Sequence, residues 1–437
     1  MTLSARDVVC DAQTVGPAMH AFIAELYPIC RSITGNGFRE SLRAVQHHIA
    51  LDTHEVPSGT RVFDWTVPKE WNIRDAYIKN AQGERVVDFR QHNLHVVNYS
   101  VPVRQRLTRS ALAAHVFTMP EHPDWIPYRT SYYNETWGFC LSHRQWLALT
   151  EDEYEVCIDS SLEAGNLTYG ELYLPGQCAE EVLISCHACH PSLCNDNLSG
   201  VALAVWLAKI LRGISCRYSY RFLFIPGTVG SITWLCRNEA KTAAIKHGLV
   251  LANVGDAGHS TYKRSRRGNA EVDRAVCHVL QHSGEAYEIL DFTPYGYDER
   301  QYCSPGFNLP VGCLMRTPHG RFPEYHTSAD NLDFVRPQAL ADSLVKALAI
   351  LFVLENDECY MNQNPKCEPQ LGKRGIYRTL GGQTEEDRSE LAMLWLLNAS
   401  DGSHSMLDIA ERSGLPFAVL QRAADVLLNH MLLARVH

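Results

Sequence analysis

The sequence predicts an α/β protein in which a mixed sheet carries helices on both faces, with a β-rich insertion and a C-terminal winged helix. Three observations predict it. From about Ser160, strand-like apolar runs (Glu181–Cys186, Tyr220–Pro226, Gly248–Val254, Leu309–Arg316) alternate with helical ones (Leu198–Arg212, Ala270–Ser283, Pro337–Glu355). That alternation belongs to strands joined by helical crossovers. Between about Glu55 and Tyr154 the texture changes to short alternating segments such as Arg85–Phe89 and Asn93–Val101, rich in Trp, Tyr and Pro. From about Thr384, helical patterns cover Glu385–Ser400, Met406–Ser413 and Pro416–Met431, the last two joined by Gly414-Leu-Pro416, the layout of a winged helix.

Each element has its place in that plan. Gly16–Ile29 and Gly37–Ile49 read as helices that join the later core, which makes the β-rich segment an insertion. The expected divisions are 1–54 with 155–365 for the core, 55–154 for the insertion and 380–437 for the terminal module. A chain of 437 residues with 46% apolar composition is long enough for two or three domains.

Composition excludes several classes. The first residues, Met1 to Gln13, form no unbroken apolar stretch, so neither a signal peptide nor a membrane span is expected, and the cytoplasm is the default compartment. Fifteen cysteines scattered through apolar segments read as reduced core thiols. A net charge of -9 argues against nucleic-acid and membrane-surface partners. The terminal module agrees: residues 384–437 hold eight acidic residues and four arginines, and its would-be recognition helix offers Arg422 beside Asp425. Packing or homo-oligomerisation is its expected role, as it is for the insertion.

The chemistry concentrates in Ser185-Cys-His-Ala-Cys-His-Pro-Ser-Leu-Cys-Asn-Asp-Asn-Leu-Ser-Gly200, a turn between a strand and a helix. Imidazole and carboxylate are the usual ligands of catalytic zinc, and such a turn can aim several of them into one crevice. His190 and Asp196 are the favoured pair, with His187 the alternative to His190. His326, in Tyr325-His-Thr-Ser-Ala-Asp330, supplies a ligand from a distant loop and leaves a coordination position open. Two other readings of the turn exist: the Cys-x-x-Cys-His pattern of haem attachment, and a structural zinc knot of Cys186, Cys189, Cys194 and His190. Asp330 either caps the next turn or orients His326.

With Gly296-Tyr-Asp-Glu-Arg-Gln-Tyr-Cys-Ser-Pro-Gly306 as a third signature, nearly the whole chain resembles the aminopeptidase-like proteins related to the M28 zinc peptidases, a group described as polysaccharide-biosynthesis proteins with an aminopeptidase-like domain. The resemblance implies an M28-like fold and a zinc-dependent hydrolase of amide or peptide bonds, holding one or two zinc ions. Its substrate would be a small molecule or short peptide. It implies His190, Asp196 and His326 as ligands, Asp256 as a further acidic ligand, and Glu299 as a proton acceptor or amine-binding group. One departure matters. Where the relatives show Pro-Glu-Thr, this chain reads Pro226-Gly-Thr228, so the usual basic carboxylate is missing and a silent binding or scaffold protein is the alternative.

The basic run Tyr262–Arg267 follows Asp256 closely, and Arg266 and Arg267, with Arg300 and Arg316, are candidates to hold a substrate carboxylate or phosphate through bidentate forks. Tyr325 joins that substrate-binding set. The aromatic strip Trp125–Trp137 is expected in the insertion's core or along one wall of the cleft.

Overall fold

A computed structural model describes residues 11–376 and 385–436. Eight strands build the central sheet: β1 (Asp52–Pro57), β2 (Asn166–Leu174), β3 (Glu181–His187), β4 (Ser219–Ile225), β5 (Ile245–Leu251), β6 (Ser260–Lys263), β7 (Tyr287–Leu290) and β8 (Val311–Met315), in the order β1-β2-β4-β3-β5-β8-β6-β7. The middle four, β4, β3, β5 and β8, run parallel, while β1, β2 and β6 pair antiparallel with their inner neighbours. Strands β3, β4 and β8 are buried along their whole length, as strands covered on both faces must be.

Six helices flank the sheet: α1 (Ala12–Leu26), α2 (Asn36–Gln46), α3 (Ser199–Leu211), α4 (Val229–Arg237), α5 (Glu271–Gln281) and α6 (Pro337–Asn356). The crossover from β3 to β4 through α3 runs in the opposite direction to that from β4 to β5 through α4. The right-handed rule for parallel crossovers then puts the two helices on opposite faces. Packing agrees: α3 touches α1 and α6, whereas α4 touches β2. Within β2, Gly170 faces Leu42 of α2 and its neighbour Glu171 accepts a bond from Trp234 of α4, as alternation along a strand requires. Among the described residues α6 is the one helix long and apolar enough to cross a membrane, and 72% of that window is buried inside the fold.

The insertion is a four-stranded antiparallel sheet in the order Arg85–Asp88, Glu70–Lys79, Glu153–Glu163, Val103–Thr108, with its own core around Ile78, Phe139, Val156 and Ile158. The chain leaves and re-enters the core where Ser58 N donates to Gly165 O at 2.8 Å, outside the expected limits of 55 and 154. Asn93–Val101 is no strand: Asn93–His95 forms a 3-10 turn because His92 Nδ1 accepts from Leu94 N at 3.1 Å, and Tyr99 takes a positive φ of 75°.

The terminal module begins earlier than 380. Its first strand, Cys359–Asn362, pairs antiparallel with Asp401–Ser405 and Leu433–Arg435 around helices Glu385–Ala399, Met406–Ser413 and Phe417–Asn429. It sits on α5: Arg274 pairs with Asp408 at 2.5 Å and Glu411 at 2.6 Å, Phe417 N donates to His278 Nε2 at 3.0 Å, and the Phe417 ring meets Phe352 edge-on at 5.9 Å.

Candidate metal centre

Strand β3 delivers His187 at its C-terminal end, and the chain then loops through His190 to the turn Cys194–Leu198 that starts α3. That turn presses close to β5, because a Cβ on Gly200 would come within 2.4 Å of Leu251 O; only glycine fits there. The result places Asp196, fully buried, at the focus of three imidazoles. His187 Nε2 lies 2.7 Å from Asp196 Oδ1, His190 Nδ1 3.5 Å from the same oxygen, and His326 Nε2 3.0 Å from Oδ2. The sequence offered His187 and His190 as alternatives, and the structure brings both to one carboxylate. Ligand atoms of His187, His190 and Asp196 all fall within 4.8 Å of one another, a separation a single ion can bridge.

The donor set suits zinc on two grounds. Imidazole nitrogens and a carboxylate oxygen are zinc's ordinary ligands in hydrolytic sites. Also, His190 Nδ1 is buried and without a hydrogen-bond partner while aimed at Asp196, an arrangement costing ~1–3 kcal/mol unless something else pairs with it. Electrostatics agree. Burial pushes the His190 imidazole down to about 4 against the pull of Asp196, so it is neutral and able to bind metal at pH 7. Burial works to raise Asp196, but His190 and the hydrogen bonds from the imidazoles outweigh it and hold the carboxyl well below its usual range.

A second tier of bonds fixes these ligands. Asn197 Nδ2 donates to His187 O at 3.1 Å and Leu251 O at 2.9 Å. Asp330 neither orients His326 nor caps its own following turn: Oδ1 accepts from Asn195 N at 2.6 Å and Oδ2 from Asp196 N at 2.9 Å, so it holds the ligand turn itself. Burial pushes its carboxyl up to about 8, against those two bonds. Asp256 is not a ligand. Its Oδ2 accepts from Asn195 Nδ2 and Thr317 N and its Oδ1 from Thr317 Oγ1 and Gly258 N, all between 2.6 and 3.1 Å, which leaves no oxygen for a metal.

Aromatic rings wall the cluster. Tyr297 stacks on His187 at 4.7 Å and Tyr325 on His326 at 3.9 Å, while Tyr128 meets His190 and His326 edge-on at 5.3 and 5.1 Å. Tyr128 comes from the insertion, so the aromatic strip forms one wall of the site. The contact is bonded as well as packed: Tyr128 N donates to His326 O at 2.7 Å, Ser328 N to Ile126 O at 2.8 Å, and Ile126 N to Ser328 Oγ at 2.9 Å. On the other side the buried Arg31 donates from Nε to His190 O at 3.1 Å.

Several sequence expectations need correction. Glu299 is fully buried and forms an ion pair with Lys263, whose ammonium also donates to Tyr295 O at 2.8 Å, so Lys263 balances its charge while Oε2 has no hydrogen-bond partner. Arg266 and Arg267 bond Asn308 at 3.0 and 2.8 Å, and Arg316 pairs with Asp342 of α6 at 2.5 Å, so these three serve loop and helix packing instead of gripping a substrate anion. Arg300 acts electrostatically on Asp298, and its Nε is buried without a partner. Cys186 and Cys189 direct their thiols toward Leu223 O and Gly227 O, and the ligand-spaced cluster found among the described residues is His187, His190 and Asp196 with no cysteine, so the geometry gives the cysteine-knot and haem readings no support.

The residue that sequence reasoning passed over is Asp298. Its Oδ1 accepts from Ser231 Oγ at 2.7 Å, its Oδ2 is buried without a partner, and burial pushes the carboxyl up to about 6. A Cβ built on Gly227 would lie 3.2 Å from that Oδ2 and 2.9 Å from His187 Cβ. The only signal in the sequence was its place one residue before Glu299.

The sheet order and the strand-end cluster define an aminopeptidase-like α/β fold joined to a winged helix. Residues 20–357 match the family described as a domain of unknown function, DUF4910, and residues 358–435 match a winged helix-turn-helix family. The chain belongs to the DUF4910 family. It is 54% identical, over 98% of each chain, to a Clostridium acetobutylicum protein that bears a provisional name, polysaccharide biosynthesis protein with aminopeptidase-like domain. A crystal structure from the same organism, described provisionally as a peptidase, superposes with a TM-score of 0.94 at 53% identity, covering 98% of each chain. The Bacillus subtilis zinc aminopeptidase BSAP shares the fold at a TM-score of 0.57 and 13% identity, over 79% of this chain and 96% of that one.

Proposed function

We propose that this protein is a zinc-dependent hydrolase of an amide or peptide bond, aminopeptidase-like, acting in the cytoplasm on an aminoacyl or peptidyl group of a small biosynthetic intermediate. The observation that carries the reading is the convergence of His187, His190 and His326 on the buried Asp196, with His190 Nδ1 left unpaired. Zinc held by that set would supply a Lewis acid beside the scissile carbonyl. The chain's own residues do the rest. Asp330 and Asn197 hold the ligand turn in place, and Tyr297, Tyr325 and Tyr128 pack against the imidazoles and fix their orientation. The biosynthetic context is supported by the name of the Clostridium acetobutylicum relative, and the reducing compartment by buried free thiols such as Cys186, Cys189 and Cys194.

One observation favours a second reading, a zinc-containing binding protein without turnover: Gly227 projects no carboxylate toward His187. The two readings separate on activity. Zinc-loaded protein is assayed on a library of aminoacyl amides, dipeptides and aminoacylated sugars, beside His187→Ala. Turnover abolished by His187→Ala supports the hydrolase. Stoichiometric zinc with no turnover across the library would leave the binding protein, and absence of zinc from the purified wild type would sink both.

A further inference from the structure

Hydrolysis of an amide needs a group that takes a proton from the attacking water and returns it to the departing nitrogen. Gly227 offers none, and Glu299 is held in an ion pair with Lys263. We infer that Asp298 is the catalytic base of this site, an inference that rests on the zinc-hydrolase reading above. A buried carboxylate oxygen is normally bonded, since leaving one bare is costly. Asp298 Oδ2 is bare, and it lies on the His187 side of its carboxylate, 3.2 Å from where a Cβ at residue 227 would stand, a Cβ that would itself come within 2.9 Å of His187 Cβ. Its other oxygen is fixed by Ser231 Oγ at 2.7 Å, so the carboxylate is oriented with Oδ2 directed away from its anchor. Arg300 and His187 act on it electrostatically, which places it in the field of the metal ligands.

The step balances without a further reagent. One O–H bond of water breaks and its proton passes to Asp298 Oδ2 as the oxygen bonds to the carbonyl carbon. That proton then goes to the leaving nitrogen as the C–N bond breaks, and a carboxylic acid and an amine depart. Ser231 is a positioning residue in this scheme.

The test uses the full-length protein loaded with cobalt(II), whose visible absorption reports ligands at the metal without turnover. Two probes are compared: acetohydroxamate, which gives up a proton when it binds a metal beside a base, and azide, which has none to give. Asp298→Asn is expected to weaken acetohydroxamate roughly 10- to 100-fold, the scale of a lost hydrogen bond to a charged group, while azide binds at least as tightly as in wild type. Ser231→Ala should show a smaller loss, roughly 3- to 10-fold. With a turned-over substrate in hand, kcat of Asp298→Asn should fall ~10²–10⁴-fold. Unchanged acetohydroxamate binding in Asp298→Asn would overturn the inference. So would loss of azide or metal together with acetohydroxamate, since Asp298 would then merely support His187. A wild type that takes up no cobalt or zinc would instead defeat the metal-site reading itself, and this is seen before any variant is compared.

Discussion

Replacing Gly227 by alanine tests whether His187 is fixed by the shape of its surroundings. The added Cβ would sit 2.9 Å from His187 Cβ, 3.4 Å from its Cγ and 3.2 Å from Asp298 Oδ2. Carbon atoms in contact prefer ~3.5–4.0 Å, so the gap must open by at least about 0.6 Å. His187 has little room to yield: Tyr297 stacks against its ring at 4.7 Å and its Nε2 is bonded to Asp196 at 2.7 Å. Retreat therefore strains a packed ring or stretches that bond. Overpacking of this kind costs about 1–3 kcal/mol. Misplacing a ligand by the same amount should weaken zinc ~10- to 100-fold, the scale seen when a group that orients a metal ligand is lost. Urea unfolding of the metal-free variant reads the first quantity and zinc competition against a chelator reads the second. Gly306→Ala is the control, because nothing lies within 4 Å of a Cβ built there. If Gly227→Ala matched wild type in both measurements, His187 would not be held against residue 227 and the account of this corner of the site would be wrong. The same crowding means that Gly227→Glu does not simply restore a base, since its Cβ meets the same wall.

Metal-free protein should be most stable to urea near pH 6.5. Burial lowers His92, His190 and His278 to about 4 and His247 to about 3, so the unfolded chain binds more protons than the native one as pH falls below 6.5, and stability is lost on the acid side. Burial raises Asp330 to about 8, so from pH 6.5 to 8 the native state holds a proton that the unfolded chain releases, and stability falls again; a midpoint still rising with pH across that window would contradict the assignment. Ser328→Ala removes the acceptor of Ile126 N and should cost ~0.5–1.5 kcal/mol, with weaker docking of the insertion seen as faster amide exchange at residues 126–128 and 326–328; unchanged exchange there would refute a bonded wall. Phe417→Ala should cost about 3–5 kcal/mol while Arg274→Ala, on a partly exposed ion pair, should cost less than ~1 kcal/mol, and the reverse ranking in urea midpoints would show that charge docks the winged helix. No retention of duplex DNA is expected even at low salt. The N-terminal residues of a recognition helix contact base edges, and here Phe417 is buried against the core; binding with a steep salt dependence would disprove this.

Much of the fold was legible because apolar periodicity and turn residues act locally. Ser199–Leu211 and Glu271–Gln281 fall inside the helical patterns read from sequence, Pro337–Asn356 passes its pattern by one residue, and Asp196 and His326 were visible in their motifs. What was not legible depended on approach between distant segments. His187 and His190 could not be told apart by spacing, since both bear imidazoles near one strand end, and only the fold shows that the loop curls back to present both. Arg266, Arg267 and Arg316 read as a cationic pocket, but a run of basic residues does not reveal that Asn308 and Asp342 wait as partners. Asp256 resembled a ligand until Thr317 and Asn195 were seen to occupy its oxygens. The strand Cys359–Asn362 read as the tail of the core because its partners lie past residue 400.

Gly227 and Asp298 are best understood together. A side chain at 227 would have to share its space with His187 and with the bare oxygen of Asp298, so the glycine is what allows His187 and that oxygen to approach each other so closely. His190 Nδ1 is bare for a parallel reason, as it faces a carboxylate just beyond bonding range. Stability alone would remove both defects, since each costs on the order of 1–3 kcal/mol and a nearby hydroxyl or amide would satisfy it. Other buried polar atoms lack partners too, Glu299 Oε2 and Asn253 Oδ1 among them, but these two flank the His187, His190 and Asp196 cluster, where a cation would meet the nitrogen and a polar hydrogen would meet the oxygen.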